Sequence, residues 1–194
     1  MSIKFEDCIS LKRITLPSTL ATLSTRAFHG CTALHTVKIS DGLTEIGEQA
    51  FYECTSLRSV DLPNTLQIIG PEAFAECSIL QSIDLPPSLL QIQNAAFHNC
   101  KMLRHIEVPE SLNFLGAQAF GRSGLKTIIF YGPTPNHPSG TAFFPNDVTL
   151  FYLPEYGGTY TWTTPKWGIY DAYPLMTVGA LTSQPQNYYK DLSP

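Results

Sequence analysis

Five cysteines are the first residues whose type and spacing could support chemistry, as metal ligands, as a nucleophile or as disulfides. They are Cys8, Cys31, Cys54, Cys77 and Cys100, at a constant spacing of 23 along the chain. No Cys-x-x-Cys pair occurs, and this long spacing matches no zinc motif. Stacked strands would bring equivalent cysteines to about 5 Å, which permits a bridge, but parallel side chains and an odd number disfavour disulfides. We therefore expect a ladder of buried thiols that act as small apolar spacers.

Histidines are the other candidates for chemistry: His29, His35, His98, His105 and His137. His29 and His98 share a column three repeats apart, on the order of 14 Å, which is too far to share a metal. A Cys-His pair, His98 with Cys100 or His29 with Cys31, lacks an orienting acid in the same local pattern. We therefore expect surface histidines. Because no nucleophile elbow, zinc, P-loop or dinucleotide motif is present either, the sequence predicts no catalytic residue, no metal and no cofactor.

The spacing of the cysteines belongs to a repeat that other columns share. One column contains the phenylalanines Phe5, Phe28, Phe51, Phe74, Phe97, Phe120 and Phe143, each preceded by Ala from Phe28 onward. Further columns contain Leu, Ile or Val, so the unit reads C-x-x-L-x-x-I-x-L-P-x-x-x-L-x-x-I-x-x-x-A-F-x-x. A fixed period of this length is typical of stacked repeat architectures.

Local physics assigns a structure to each part of the unit. The I-x-L segment has the two-residue period of a strand, and proline then ends the strand because it cannot donate a ladder hydrogen bond. The L-x-x-I stretch and the Ala-Phe pair are expected to turn the chain back through a short irregular, 3-10 or helical segment. One unit cannot bury its own apolar side, so neighbouring units stack into a parallel sheet with a continuous core. The prediction is a repeat solenoid.

The repeat has one slip in its register. Leu125, Ile128 and Phe130 arrive one position early, after Ser123 and Gly124. The next strand is expected one full repeat later, with Val148 and Phe151 in the columns of Leu125 and Ile128. About seven strands are predicted over residues 1–154, the last two degenerate, as terminal repeats usually are.

Residues 155–194 are predicted to form an aromatic and proline-rich C-terminal cap followed by a loose tail. The aromatic residues of the closing region are Tyr152, Tyr156, Tyr160, Trp162, Trp167, Tyr170 and Tyr173. They resemble the side chains on which sugars or peptides stack, so carbohydrate binding is an alternative function. The cap is favoured, because a repeat array needs to close its exposed end.

Charge and hydropathy exclude several classes of protein. The chain has 194 residues, a net charge of −4 and only 14% charged residues, so it lacks the basic field of a nucleic-acid-binding protein. The sequence contains no run of 18 apolar residues, so it predicts no membrane-spanning helix. Residues 1–8 lack the apolar segment of a signal peptide, so the chain itself does not reveal its location.

The columns C-x-x-L-x-x-I-x-L-P and L-x-x-I-x-x-x-A-F resemble the BspA-like, or Treponema-type, leucine-rich repeat family over about residues 4–154. The resemblance implies a right-handed, horseshoe-like, β-rich stack with no cofactor. It also implies a cell-surface or secreted protein that binds host proteins or other cells, as in adhesion. The chain begins in mid-repeat, so we expect a fragment of a longer protein. An uncapped first strand would also permit self-association.

Side chains between the apolar positions of each strand should line the exposed face of the sheet. A basic row there runs beside a row that is acidic in the middle. We call nine of these residues the charged face, the candidate surface for a protein partner: Lys12, Arg13, Lys38, Arg58, Asp61, Asp84, Arg104, His105 and Glu107. The alternative is a solvated sheet whose rows pair with each other, each pair contributing about 0–1 kcal/mol.

Overall fold

The computed structural model describes residues 3–136, 144–145, 147–153, 166–167 and 170–174. Short strands follow one another along these residues without any helix. They are β1 (Arg13–Leu16), β2 (Thr22–Leu23), β3 (Thr36–Ile39), β4 (Glu45–Ile46), β5 (Ser59–Asp61), β6 (Ile68–Ile69), β7 (Gln91–Ile92), β8 (His105–Val108), β9 (Phe114–Leu115), β10 (Thr127–Phe130), β11 (Thr149–Tyr152), β12 (Lys166–Trp167) and β13 (Tyr170–Pro174). Within the described ranges no helix is long and apolar enough to cross a membrane.

The I-x-L segments of successive repeats form the predicted parallel sheet, which we call the first sheet. In repeats 1 to 3 it consists of β1, β3 and β5, with Ile14 beside Val37 and Val37 beside Val60, each pair one repeat apart. In repeats 5 to 7 it consists of β8, β10 and β11, and β13 adds a further parallel strand. Repeat 4 contributes residues 81–85, which form no strand. The structure is thus a solenoid of stacked parallel strands.

The returns differ from the expected irregular, 3-10 or helical segments in one respect. The L-x-x-I stretch of each repeat contributes two residues to a second parallel sheet, made of β2, β4, β6, β7 and β9. Its inward residues, Leu23, Ile46, Ile69, Ile92 and Leu115, are all buried. Pairing is favourable there because a backbone buried beside the core must satisfy its hydrogen bonds. The rest of the return consists of turns.

Two turn positions in each repeat adopt the left-handed backbone conformation on either side of the Ala-Phe pair. Their non-glycine residues are Arg26, Gln49, Glu72, Ala95 and Gln118 before it, and Asp7, Glu53, Glu76, Asn99 and Arg122 after it, with φ between 52° and 64°. This conformation costs an L-residue about 1–2 kcal/mol. The turns direct N–H groups at the next repeat, as from Gly30 to Tyr52 O at 2.8 Å. Hydrogen bonds between repeats therefore offset the strain.

A ladder of phenylalanines fills the core. Neighbouring rings from Phe5 to Phe120 stack with centroids 5.1–5.4 Å apart and planes within 9° of parallel. The rings from Phe28 to Phe120 are fully buried, and each such burial contributes about 1.5–3 kcal/mol. The prediction of a phenylalanine column is confirmed up to Phe120. The next ring in the stack is Phe144 at 5.8 Å, not the expected Phe143, which lies outside the described residues.

The register of the last repeat also corrects the prediction. The early arrival of repeat 6 is confirmed, since Thr127 pairs with His105, one position short of a full repeat. Repeat 7 was expected to return after a full repeat, but Leu150 and Tyr152 pair with Ile128 and Phe130, again one position short. The expectation was wrong because residues 148–152 alternate strictly: Val148, Leu150 and Tyr152 are buried, while Phe151 is half-buried. Burying this alternating set outweighs keeping the repeat length constant.

Candidate protein-interaction surface

All nine residues of the charged face are exposed to solvent. Eight of them lie on the first sheet or immediately before one of its strands, as Lys12 does before β1 and Arg104 before β8, and Asp84 lies in the segment of repeat 4 that forms no strand. Alternation in β3 and β8 explains this, since Val37 and Ile106 point into the core while Lys38 and Glu107 point outward. The rows run across the repeats in register, with Lys38 beside Asp61.

Few of these charges are neutralised by each other. In the described part of the chain, the only ion pair within the charged face joins His105 Nε2 to Glu107 Oε1 at 3.5 Å. Lys38 and Asp61 are cross-strand neighbours but form no ion pair. Outside the charged face, Lys126 pairs with Asp147 and lowers the pKa of the Asp147 carboxyl group. Most charges of the face therefore form no ion pair with one another among the described residues.

The first sheet is interrupted at repeat 4, and a cleft lies at the interruption. In the described ranges, residues 82–85 make no backbone hydrogen bond to either neighbouring repeat. A cavity of about 370 Å³ opens between this segment and β8. Its lining includes four members of the charged face, namely Asp84, Arg104, His105 and Glu107, with Ile83, Leu85 and Ile106 as apolar lining.

The sequence of repeat 4 explains part of this interruption. Two prolines, Pro86 and Pro87, follow the strand segment, whereas repeats 1, 3 and 5 have one proline there. Proline restricts the backbone of the preceding residue and supplies no N–H, so the end of this segment is limited in how it joins a ladder. The second proline is therefore a sequence signal for the cleft that the repeat columns alone do not contain.

Four of the five cysteines are buried as predicted, whereas Cys8 is half-buried, and the buried thiols also make hydrogen bonds. The Sγ atoms of Cys31, Cys54, Cys77 and Cys100 each donate to the carbonyl oxygen of a phenylalanine 26 residues earlier, at 3.0–3.2 Å. Burial raises the pKa of the three innermost thiols, which disfavours the thiolate form that a nucleophile or metal ligand requires. All five are free thiols.

The histidines occupy varied environments at or near the surface. His105 is exposed, His29 stacks on Tyr52 with centroids 5.1 Å apart, and His35 Nδ1 lies 2.5 Å from Ala33 O. His98 is half-buried, and its Nδ1 atom is buried without a hydrogen-bond partner among the described residues. The prediction for His137 falls outside the described residues. In the part of the chain that is described, no group of three or more His, Cys, Asp or Glu side chains is arranged to hold a metal.

The described part of the closing region contains strands. Tyr152 is buried, and Tyr173 lies beside Phe151 with ring centroids 6.2 Å apart. β13 joins β11 in parallel and β12 pairs with β13 in antiparallel orientation, so the first sheet continues past residue 154. The division at that residue stays a prediction, as do the cap and the loose tail. Tyr156, Tyr160 and Trp162 lie outside the described residues, and the side chains of Trp167 and Tyr170 are also outside them.

Comparison with solved structures finds related bacterial repeat proteins. A leucine-rich repeat protein of Treponema pallidum is 32% identical, with a TM-score of 0.59 over 60% of this chain and 57% of that one. A leucine-rich repeat protein of Bacteroides ovatus is 23% identical, with a TM-score of 0.51 over 76% and 57%. A leucine-rich cell surface protein of Faecalibacterium prausnitzii is 21% identical, with a TM-score of 0.51 over 73% and 55%. This chain thus spans a little over half the length of each.

Comparison with sequence families gives one assignment. No curated protein sequence matches the chain. The family model described as the BspA type leucine rich repeat region matches residues 2–134 in six copies. This match covers more than half of the chain and the same columns that form the buried ladders. The chain therefore belongs to the BspA-type leucine-rich repeat family.

Proposed function

We propose that the chain is a non-catalytic scaffold that binds a protein partner through its charged face. The observation that carries the proposal is the exposed and mostly unpaired set of charges on the first sheet, centred on the cleft of repeats 4 and 5. Solenoids of this kind use an extended surface for binding. Complementary charge would guide a partner to this surface and fix its orientation.

The setting of this binding is a cell surface or the extracellular space, in adhesion or capture of a host protein. The family assignment supports this role, and the Faecalibacterium prausnitzii relative is described as a cell surface protein. The chain spans just over half the length of each of these solved relatives. The function of the whole protein is therefore also a proposal.

Charge reversal tests the binding surface. One variant reverses four charges of the charged face and keeps the net charge of the chain. It combines Arg58→Glu, Asp61→Lys, Asp84→Lys and Arg104→Glu. We expect binding to fall by about tenfold or more, since like charges across an interface cost several kcal/mol. Binding is measured against an array of purified extracellular proteins, and thermal unfolding confirms that the variant is folded.

A matched variant reverses four exposed charges elsewhere. It changes the same numbers of basic and acidic residues, all outside the charged face, by combining Lys101→Glu, Arg122→Glu, Asp41→Lys and Glu48→Lys. This control should retain its binding. Partner binding that survives reversal of the charged face, or that is lost equally in the control, would rule out the charged face as the binding surface.

Self-association is a second candidate, favoured by exposed apolar side chains beside β1. Ile9 is 65% exposed and Phe5 is 37% exposed, and β1 is the outer strand of its sheet. Sedimentation velocity over a concentration series should reveal oligomers that Ile9→Lys abolishes. Met102→Lys is the control, because Met102 is also exposed but lies four repeats away. A monomer at every concentration would contradict this candidate.

A further inference from the structure

A second cavity, on the second sheet, has a lining unlike that of the cleft. It has a volume of about 370 Å³, opens to solvent and lies between the second-sheet segments of repeats 4, 5 and 6. Five of its lining residues are amides and the sixth is a phenylalanine: Gln91, Gln93, Asn94, Asn113, Asn136 and Phe114. It shares no residue with the charged face or the cleft. We call this group the amide pocket.

Most of the amide groups retain hydrogen-bonding capacity. Gln93 Nε2 donates to Gln91 Oε1 at 3.3 Å, and Asn94 Oδ1 accepts from the N–H of Ala117 at 2.9 Å. These two bonds leave Gln91 Nε2 and Asn94 Nδ2 as donors and Gln93 Oε1 as an acceptor. The side-chain amides of Asn113 and Asn136 make no hydrogen bond within the described ranges. The pocket therefore offers donors and acceptors within one small volume.

The amides do not follow from the repeat pattern. Gln93 occupies a column that contains glycine at Gly47, Gly70 and Gly116. At Gly47 and Gly70 an added Cβ would lie 2.6 Å and 2.7 Å from backbone oxygens of the preceding repeat, so a side chain does not fit there. Repeat 4 accepts glutamine at this position, which places an additional amide in the pocket.

Neighbouring columns also lose their charge at the pocket. Gln91 and Asn94 correspond to Glu45 and Glu48 of repeat 2, which are exposed carboxylates. Their replacement by amides leaves no charged side chain in the lining. A pocket without charge gives no selective attraction to phosphates, carboxylates or metal ions. Its ligand must instead be neutral and rich in groups that both donate and accept hydrogen bonds.

We infer that the amide pocket binds a neutral sugar, as a monosaccharide or the end of a glycan. Vicinal hydroxyl groups donate and accept at once, which matches neighbouring amides. The half-buried Phe114 supplies an apolar surface for the C–H face of a pyranose ring. The cavity lies at the lower end of the range of about 300–1,000 Å³ for small-molecule sites. None of its lining residues belongs to the aromatic closing region, where sugar stacking was the alternative expectation.

Nuclear magnetic resonance of the side-chain amides tests the inference directly. The ¹⁵N-labelled chain is titrated with the methyl glycosides of glucose, galactose, mannose and N-acetylglucosamine, and with lactose. At least one sugar should shift the Asn113 and Asn136 side-chain signals saturably, with a dissociation constant on the order of 1 mM for so open a site. Asn113→Ala with Asn136→Ala should weaken binding by about tenfold or more, since several neutral hydrogen bonds are lost. Because this variant lacks both asparagine signals, its affinity is measured from the side-chain signals of Gln91, Gln93 and Asn94, which line the same pocket.

The control variant is Gln67→Ala, because Gln67 is an exposed amide in the column of Asn113, two repeats earlier. It should leave the affinity unchanged. The inference is overturned if no sugar shifts these signals, or if the double variant binds like the wild type. It is also overturned if only a neutral Gly-Ser peptide shifts them, because the amides would then recognise peptide backbone. The charged face is intact in all these variants, so their outcome is independent of the proposed protein binding.

Discussion

At the scale of single residues, the cysteines show how a buried polar atom can be stabilising in an apolar stack. Each buried thiol is small enough for the space beside the phenylalanine ladder, and its S–H donates to a phenylalanine carbonyl of an earlier repeat. The same carbonyl also accepts a backbone N–H, as Phe28 O does from Cys31 at 3.1 Å, so the thiol uses its second acceptor position. The column is therefore more than the apolar spacer that its composition predicts.

Alkaline pH should destabilise the fold through these thiols. Burial raises the pKa of Cys54, Cys77 and Cys100 above their ordinary value of 9.0. The unfolded chain releases these protons near pH 9 while the folded chain keeps them. The free energy of unfolding should therefore be constant below that pH and fall above it, by about 1.4 kcal/mol per pH unit for each protonated thiol.

Urea unfolding at a series of pH values measures this dependence. Cys54→Ala combined with Cys77→Ala should flatten the alkaline slope relative to the variant's own stability at pH 7. Cys8→Ala is the control, since Cys8 is only half-buried, and it should keep the wild-type slope. Equal slopes in all three proteins would show that the buried thiols are not the titrating groups.

At the scale of elements, the turns around the Ala-Phe pair set the geometry of each return. Apart from Gly30, their left-handed residues are not glycines, and most of them are polar or charged. The fold tolerates this strain because the same turns align N–H groups with carbonyls of the next repeat, as from Glu53 to Ala75 O at 3.0 Å. The turn position, and not the residue type alone, should thus decide the effect of a substitution.

Glu53 provides a test of the turn strain, with φ of 57°. Glu53→Val should be less stable than Glu53→Gly by about 1–2 kcal/mol, because a β-branched residue is strained in the left-handed conformation and glycine is not. Thr55, an exposed neighbour without positive φ, is the matched position. There valine should be at least as stable as glycine. Chemical denaturation gives the four values, and the same order at both positions would contradict the strain argument.

At the scale of the whole molecule, each repeat contacts mainly the repeats before and after it. The stability of such a stack is close to a sum of repeat and interface contributions. A ring in the middle of the phenylalanine ladder contacts rings on both sides. Phe74 lies 5.1 Å from Phe51 and 5.3 Å from Phe97, whereas Phe5 stacks on Phe28 alone within the described residues. Position along the ladder should therefore determine the cost of removing a ring.

Phe74→Ala should lower the free energy of unfolding by about 3–5 kcal/mol, as for a fully buried phenylalanine. Phe5→Ala should cost clearly less, because Phe5 is already 37% exposed. Circular dichroism in urea measures both variants. A loss at Phe5 as large as that at Phe74 would mean that the stack behaves as one cooperative unit in which position does not matter.

From the sequence alone we could predict the repeat, the first-sheet strands of every repeat except the fourth, the buried columns and the outward rows of the charged face. This was possible because burial recurs with the period of the repeat, so the side-chain types at positions such as Val37, Cys54 and Lys38 indicate which side chains face the core. The early arrival of repeat 6 was also readable, since Leu125 and Ile128 shift together.

The pairing of segments, and the spaces that remain between them, became visible only in the three-dimensional structure. Four features depend on contacts between equivalent segments of neighbouring repeats. They are the second sheet, the missing strand of repeat 4, the register of Leu150 and the grouping of Asn113 with Asn136. A column of side chains specifies which residues face the core, but hydrogen bonds between neighbouring repeats depend on the backbone conformation of both. The cysteines illustrate this difference. The sequence predicts that they are buried, but their hydrogen bonds depend on how neighbouring repeats stack.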